Sequence, residues 1–394
     1  MSAADRSSCH RVDGSSPWRP RIAVRPRPAA RAHAHGERPR IAALDAARAL
    51  GVVAMVFGHT LDGLLAPAAR LTPAVALYWK ARGLTAPLFL VVSGWAVTVA
   101  IRRGRARGLR IPRERAGRVL LLLAIGYALR FPGWGLEQLR TGDAAVWAHL
   151  LAFDALHTIA ISLLATTLVL SLPWAARGKA LALGALAVGA VAVGLLLPAP
   201  VVPSAAALPN GLLGRALAQA VGGTSPFPLV PWAAYFFAGA VVALLGGEAG
   251  RPPARWLAFA GAFLVLATGD TGVGTMPSGD PYLVLFRIGA VLLVIAALAA
   301  VPAALARAAA PVGRASLGVY AIHVPIVYGW STLEGLSARI GQTLTFGRAA
   351  LVGAVVLAAS LGLARAVQVG RAAAAAAWTR RGEAVARVLA LVRP

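Results

Sequence analysis

From residue 40 to residue 367 the chain consists of apolar runs close to twenty residues long, broken by short stretches rich in Arg, Pro and Gly. A helix needs about twenty apolar residues to cross the hydrocarbon core of a bilayer, so each run predicts a transmembrane span. Helices are expected over 40–67, 83–101, 117–133, 153–172, 179–197, 227–246, 254–268, 283–301, 314–331 and 347–367. The predicted fold is all-α, a polytopic membrane bundle of about ten helices. An even number of spans puts both termini on one side, and the basic residues of the loops choose that side. Eight arginines crowd residues 102–118, whereas the loop after the first helix holds Arg70, Lys80 and Arg82. The bias predicts cytosolic termini and a multi-pass protein of the inner (cell) membrane.

The flanks break this pattern. Residues 1–39 are rich in Arg, Pro, Ser and His and have no apolar period, so they read as a disordered cytosolic tail. Residues 368–394 mix Arg with Ala, Trp, Leu and Val, which suits a basic amphipathic segment on the inner membrane surface. The longest external loop, 198–226, is rich in Pro, Gly and Ala and is a candidate to shape a cleft.

The first apolar run is unusual because it also carries Asp45, Arg48, His59 and Asp62. Titratable groups inside a membrane helix are costly and mark function. At about 100° per residue, Asp45, Arg48, Met55 and His59 fall within an arc of roughly 80°. Arg48 and His59 lie about 16 Å apart along that face at the helical rise. Asp45 and Arg48 are one turn apart and can neutralise each other.

Two later helices add groups of the same kind. Asp154 and His157 are one turn apart at the start of the fourth run; they are candidates either to line a site or to make a structural hydrogen bond. Ser316, Tyr320 and His323 share one face of the ninth run. In the second run, Ser93 and Gly94 form a small patch that lets a neighbouring helix approach closely.

The sequence of 394 residues has a net charge of +25 that comes almost entirely from arginine, with Lys80 and Lys179 as the only lysines. A chain that is 58% hydrophobic, with a mean hydropathy of +0.71, assigns that charge to positive-inside loops rather than to nucleic acid. The arginines of 102–118 are also suited to anionic lipid or to the phosphates of a cytosolic donor such as coenzyme A. One cysteine, Cys9, excludes an internal disulfide. His59, His157 and His323 lack metal-ligand spacing, so neither a metal nor a bound cofactor is expected. There is no Walker loop, no HExxH and no G-x-S-x-G.

The pattern Leu44-Asp45-x-x-Arg48, an apolar run with Met55, then His59 resembles the first helix of the membrane acyltransferase-3 superfamily. Pro87-x-Phe89 with Ser93-Gly94, the DALHTIAISLL stretch from Asp154, Pro231-Trp232 with Tyr235-Phe236-x-x-Gly239, and Gly313-Arg314-x-Ser316-Leu317 ahead of Tyr320 and His323 resemble later signatures of that superfamily. The similarity is greatest to the branch of the heparan-α-glucosaminide N-acetyltransferase catalytic domain. Ala49 departs from it, since the superfamily often has Gly straight after the arginine.

The resemblance implies an integral membrane acyltransferase. Its co-substrate would be acyl-CoA, above all acetyl-CoA, and its acceptor a hydroxyl or amine of a carbohydrate or glycoconjugate. It implies that Arg48 helps to hold the donor and that His59 is the catalytic histidine. Such transfer needs a base for the acceptor's proton and donors near the developing oxyanion. An imidazole titrates near neutrality, so His59 suits the role of base or of transient acyl carrier. His323 joins it as a second catalytic candidate, with Asp45, Arg48, Ser316 and Tyr320 supporting and Asp154 and His157 lining the pocket. The alternative is a transporter or permease, since polar residues in a bundle also mark substrate paths.

Overall fold

The computed structural model describes residues 41–106, 111–131, 136–196, 211–222, 224–247, 250–269 and 280–391. The expected N-terminal tail with Cys9, Arg107 and Arg110 of the arginine run, and residues 197–210 of the long loop lie outside the described residues.

Each apolar run carries a helix. The first, α1 (Ala42–Leu64), is followed by two short helices, α2 (Pro67–Arg70) and α3 (Pro73–Arg82), both with Pro at the first turn where its missing N–H costs nothing. Then come α4 (Thr85–Arg105), α5 (Ile111–Leu129), and the short α6 (Leu136–Thr141) and α7 (Ala144–Leu151). The middle of the chain forms α8 (Ala155–Ser171), α9 (Ala176–Leu196), α10 (Leu212–Val221), α11 (Leu229–Leu245) and α12 (Ala254–Thr268). The last part forms α13 (Pro281–Ala299), α14 (Ala303–Arg314), α15 (Ser316–Tyr328), α16 (Leu336–Ile340) and α17 (Phe346–Leu391). A two-stranded hairpin, β1 (Gly329–Trp330) with β2 (Leu333–Glu334), follows α15.

The structure adds to the sequence reading in three places. Helices α2, α3, α6, α7, α10, α14 and α16 occupy stretches expected to be loop. The helix of the last expected span continues into the C-terminal segment, since α17 runs 46 residues from Phe346 to Leu391. Among the described residues, five helical stretches are long and apolar enough to span a membrane, or six if α7 and α8, bent by 55°, count as one. The others fall short for physical reasons. At 1.5 Å per residue, α11, α12 and α15 reach only about 20–26 Å against a core of about 30 Å. The first turns of α5 hold Arg113, Glu114, Arg115 and Arg118.

Close packing holds the interior. A Cβ on Gly94 of α4 would sit 1.9 Å from the Phe236 carbonyl oxygen, and one on Gly239 of α11 would sit 1.9 Å from that of Val91. Only the missing side chains let these two backbones touch. Trp95, Tyr235 and Phe236 are fully buried beside this contact. At one end of the bundle, Arg102 donates to the carbonyls of Ala243 and Gly247, and Arg105 to those of Leu170 and Ser171. These arginines satisfy the orphan carbonyls at the C-termini of α11 and α8.

At the opposite end, Leu65 and Leu344 form a bridge that fixes the end of α1 beside the start of α17. The Ala66 N–H donates to Leu344 O, and the Leu344 N–H to Leu64 O, each at 2.9 Å. The hairpin is tied to the end of α5 by the Trp330 indole N–H, which donates to Ala128 O at 2.7 Å.

Candidate active site

The polar face of α1 opens on a cavity of about 1240 Å³ walled by α1, α3, α4, α5, α8, α11, α13 and α15. Arg48, Met55 and His59 line it, as the helical period requires. Asp45 stands behind them, buried, with Oδ1 3.2 Å from Arg48 Nη1. The closeness of α14 completes that end: a Cβ on Gly313 would lie 2.4 Å from Asp45 O and 3.2 Å from Arg48 Cβ.

His59 lies where the ends of α1 and α15 meet. Its Nδ1 is 3.0 Å from the Tyr328 hydroxyl, which is itself 3.3 Å from Asp62 Oδ2. Asp62 is further held by Arg82 at 3.3 Å and Arg70 at 3.7 Å. Both contacts of Tyr328 are hydrogen bonds together in the following arrangement, because a carboxylate only accepts and a phenol has one hydrogen. Tyr328 donates to Asp62, His59 Nδ1–H donates to Tyr328, and the lone pair of His59 rests on Nε2.

His323 is fully buried, its ring 5.3 Å from that of His59. Its Nδ1 lies 2.8 Å from Val319 O, so Nδ1 carries the hydrogen and Nε2 is an acceptor. That Nε2 has no hydrogen-bond partner among the described residues. Tyr320 packs edge-on against His323, ring centroids 5.8 Å apart, and its hydroxyl donates to Asp154. Arg130 Nε stands 4.0 Å from the other oxygen of Asp154.

The structure therefore brings Arg48, His59, Asp154, Ser316 and Tyr320 to one cavity, with Asp45 and His323 directly behind. It leaves His157 out. That ring is buried between Tyr127 and Phe153, with centroids at 4.4 and 5.8 Å, and its Nδ1 accepts from the Asp154 N–H at 3.1 Å. With Asp154 as N-cap, His157 closes a capping box at the start of α8. The patch in α4 divides as well: Gly94 packs on α11, while Ser93 faces the cavity.

Sequence reasoning missed Asp62, Tyr328, Arg70, Arg82 and Trp79 as site residues. Asp62 follows His59 by three positions, which was a usable signal. Tyr328 carried none, since its partner is 269 residues away. Arg115 and Arg118, on the first turns of α5, line the cavity together with Arg314, and Arg287 lies over the Trp232 ring at 5.9 Å. Among the described residues, eight that line the cavity are cationic, and Asp154 is the one lining carboxylate. Among the described residues no three His, Cys, Asp or Glu side chains gather as metal ligands.

Charged groups are thus concentrated in a cavity inside an apolar bundle, which suits anionic substrates and proton transfer. Against known families, the acyltransferase-3 model, described as an acyltransferase domain, matches residues 41–365. No curated protein matches the chain.

Proposed function

The chain belongs to the acyltransferase-3 family, and from that premise we propose that it transfers an acyl group, above all acetyl, from cytosolic acyl-CoA to a hydroxyl or amine of a carbohydrate-type acceptor. The reading extends to a ten-span bundle with cytosolic termini in the inner membrane, and to the heparan-α-glucosaminide N-acetyltransferase-like branch of the family. The observation that carries it is a single cavity with Arg48 and His59 on one wall and cations at the Arg48 end. A rise of about 16 Å between those two residues suits an extended pantetheine arm. Its phosphates would lie near Arg48, Arg115, Arg118 and Arg314 and its thioester near His59.

The chemistry follows from the proton assignment. His59 Nε2 takes the proton of the acceptor hydroxyl as its oxygen attacks the thioester carbonyl. A C–O bond forms, the C–S bond breaks, and the departing thiolate takes the proton back from the imidazolium. Tyr328 and Asp62 hold the tautomer that leaves Nε2 basic, and the nearby Asp62 charge favours the imidazolium as it forms. Asp45 keeps Arg48 in place, while Asp154 fixes Tyr320 on the cavity wall.

Detergent-purified protein given acetyl-CoA and a hydroxyl acceptor should release free CoA, and His59→Ala should abolish that release while still binding CoA. Equal turnover by folded His59→Ala would overturn the assignment. A transporter without chemistry would show no turnover in either protein, and membership of an acyltransferase family weighs against it.

A further inference from the structure

The excess of positive charge in the cavity has two centres, and the acyl donor accounts for one. Arg48, Arg115, Arg118 and Arg314 serve the phosphates of the donor in the reading above. Arg70, Lys80 and Arg82 line the other mouth, beyond His59. An acyl-CoA whose thioester reaches His59 from the Arg48 side leaves that mouth empty.

The second centre has its own architecture. The Arg70 and Arg82 guanidiniums lie 5.5 and 5.1 Å from the centroid of the Trp79 ring. Arg82 packs on α1 one residue before His59, where a Cβ on Gly58 would be 3.0 Å from its Nε. Asp62 pairs with Arg70 and Arg82, and Lys80 has no carboxylate partner among the described residues. Three cations against one carboxylate leave an excess of about two charges, the charge of a phosphate dianion. Guanidinium forks match phosphate oxygens.

Resting on the acyl-transfer reading, we propose that this mouth is a phosphate-binding subsite of the acceptor side. It holds a phosphate group beside His59, so that a hydroxyl of the molecule carrying it lies near Nε2. The phosphate can arrive on a soluble glycosyl phosphate or in a lipid headgroup; Arg82, Arg70 and Lys80 would recognise the same chemistry in both.

The test uses purified full-length protein saturated with CoA, so that the donor end is filled. Inorganic diphosphate is titrated at constant ionic strength with Tm as the readout, which removes general screening. Wild type should show a saturable rise in Tm that persists with CoA present. Lys80→Gln should weaken the apparent affinity at least tenfold, and Lys80→Arg should restore it. Loss of the response when CoA is added, or equal affinity in Lys80→Gln, would overturn the proposal. Repeating the titration in nanodiscs separates the sources. Masking of the response by phosphatidylglycerol, but not by phosphatidylcholine, would identify a headgroup, and an unmasked response that glycosyl phosphate reproduces would identify the soluble acceptor. The CoA-induced shift is read in the same series. Its absence would sink the acyl-CoA reading and leave the diphosphate result standing.

Discussion

The α1–α15 seam and the α4–α11 seam each join two helices, yet they are built in opposite ways. Along α4–α11, glycines let backbone meet backbone, and the flanking side chains are Trp95, Tyr235 and Phe236. Along α1–α15, imidazoles, a phenol and a carboxylate lie between the helices, with the two histidine rings 5.3 Å apart. In lipid, helices gain little from burying apolar surface against each other, so close van der Waals contact must supply the adhesion. The first seam does this and leaves no room for a substrate. The second sets polar groups between its helices, with Tyr328 and Asp62 partly exposed, and borders the cavity. One seam holds the bundle together, and the other holds the chemistry.

Removing the base should separate the two most widely. His59→Ala is expected to lower acyl transfer about 10²- to 10⁴-fold, the usual contribution of a general base, with Tm nearly unchanged. CoA release and a thermal melt on the same preparation measure both. A large drop in Tm would mean that the polar seam also carries stability.

The converse substitution lies in the other seam. Gly239→Ala forces a methyl group against Val91 O and should cost about 1–3 kcal/mol. The expected result is a lower Tm and yield, with transfer per folded molecule retained. Between these two sits Tyr328→Phe, which keeps the ring but removes the hydroxyl linking His59 to Asp62. Transfer should fall about tenfold, equivalent to ~1.4 kcal/mol, the scale of one hydrogen bond to a charged group. A fall as deep as that of His59→Ala would assign Tyr328 a direct part in the reaction.

How far these seams could be read in the sequence follows from distance along the chain. The polar face of α1 and the Ser316-Tyr320-His323 face of α15 are local periodicities, so a rotation of 100° per residue finds them. The Tyr328–Asp62 link depends on two helix ends 266 residues apart, and no local pattern encodes it. Arg70 and Arg82 were read as loop cations because α2 and α3 are too short and mixed to show a period. The shortness of α11 and α15 was hidden too, since hydropathy reports an apolar run without saying whether lipid or protein surrounds it.

The smallest effect should come from His157, and it is the one that tests the comparison itself. Its sequence signal, a carboxylate one turn from an imidazole in an apolar run, is the kind that also marks His59, where Asp62 lies one turn on. The structure gives it the opposite proton arrangement to His323: Nδ1 of His157 accepts from a backbone N–H, whereas Nδ1 of His323 donates to a backbone carbonyl. An acceptor at the third position of a helix with an N-cap carboxylate is work that glutamine does equally well. His157→Gln should therefore change stability by less than about 1 kcal/mol, read as a small shift in Tm, and leave transfer intact. His157→Ala should lose the cap and open a hole beside Tyr127 and Phe153, lowering Tm alone. If His157→Gln instead lost transfer while keeping its Tm, α8 would belong with α1 and α15, and the division between a holding seam and a reacting seam would fail.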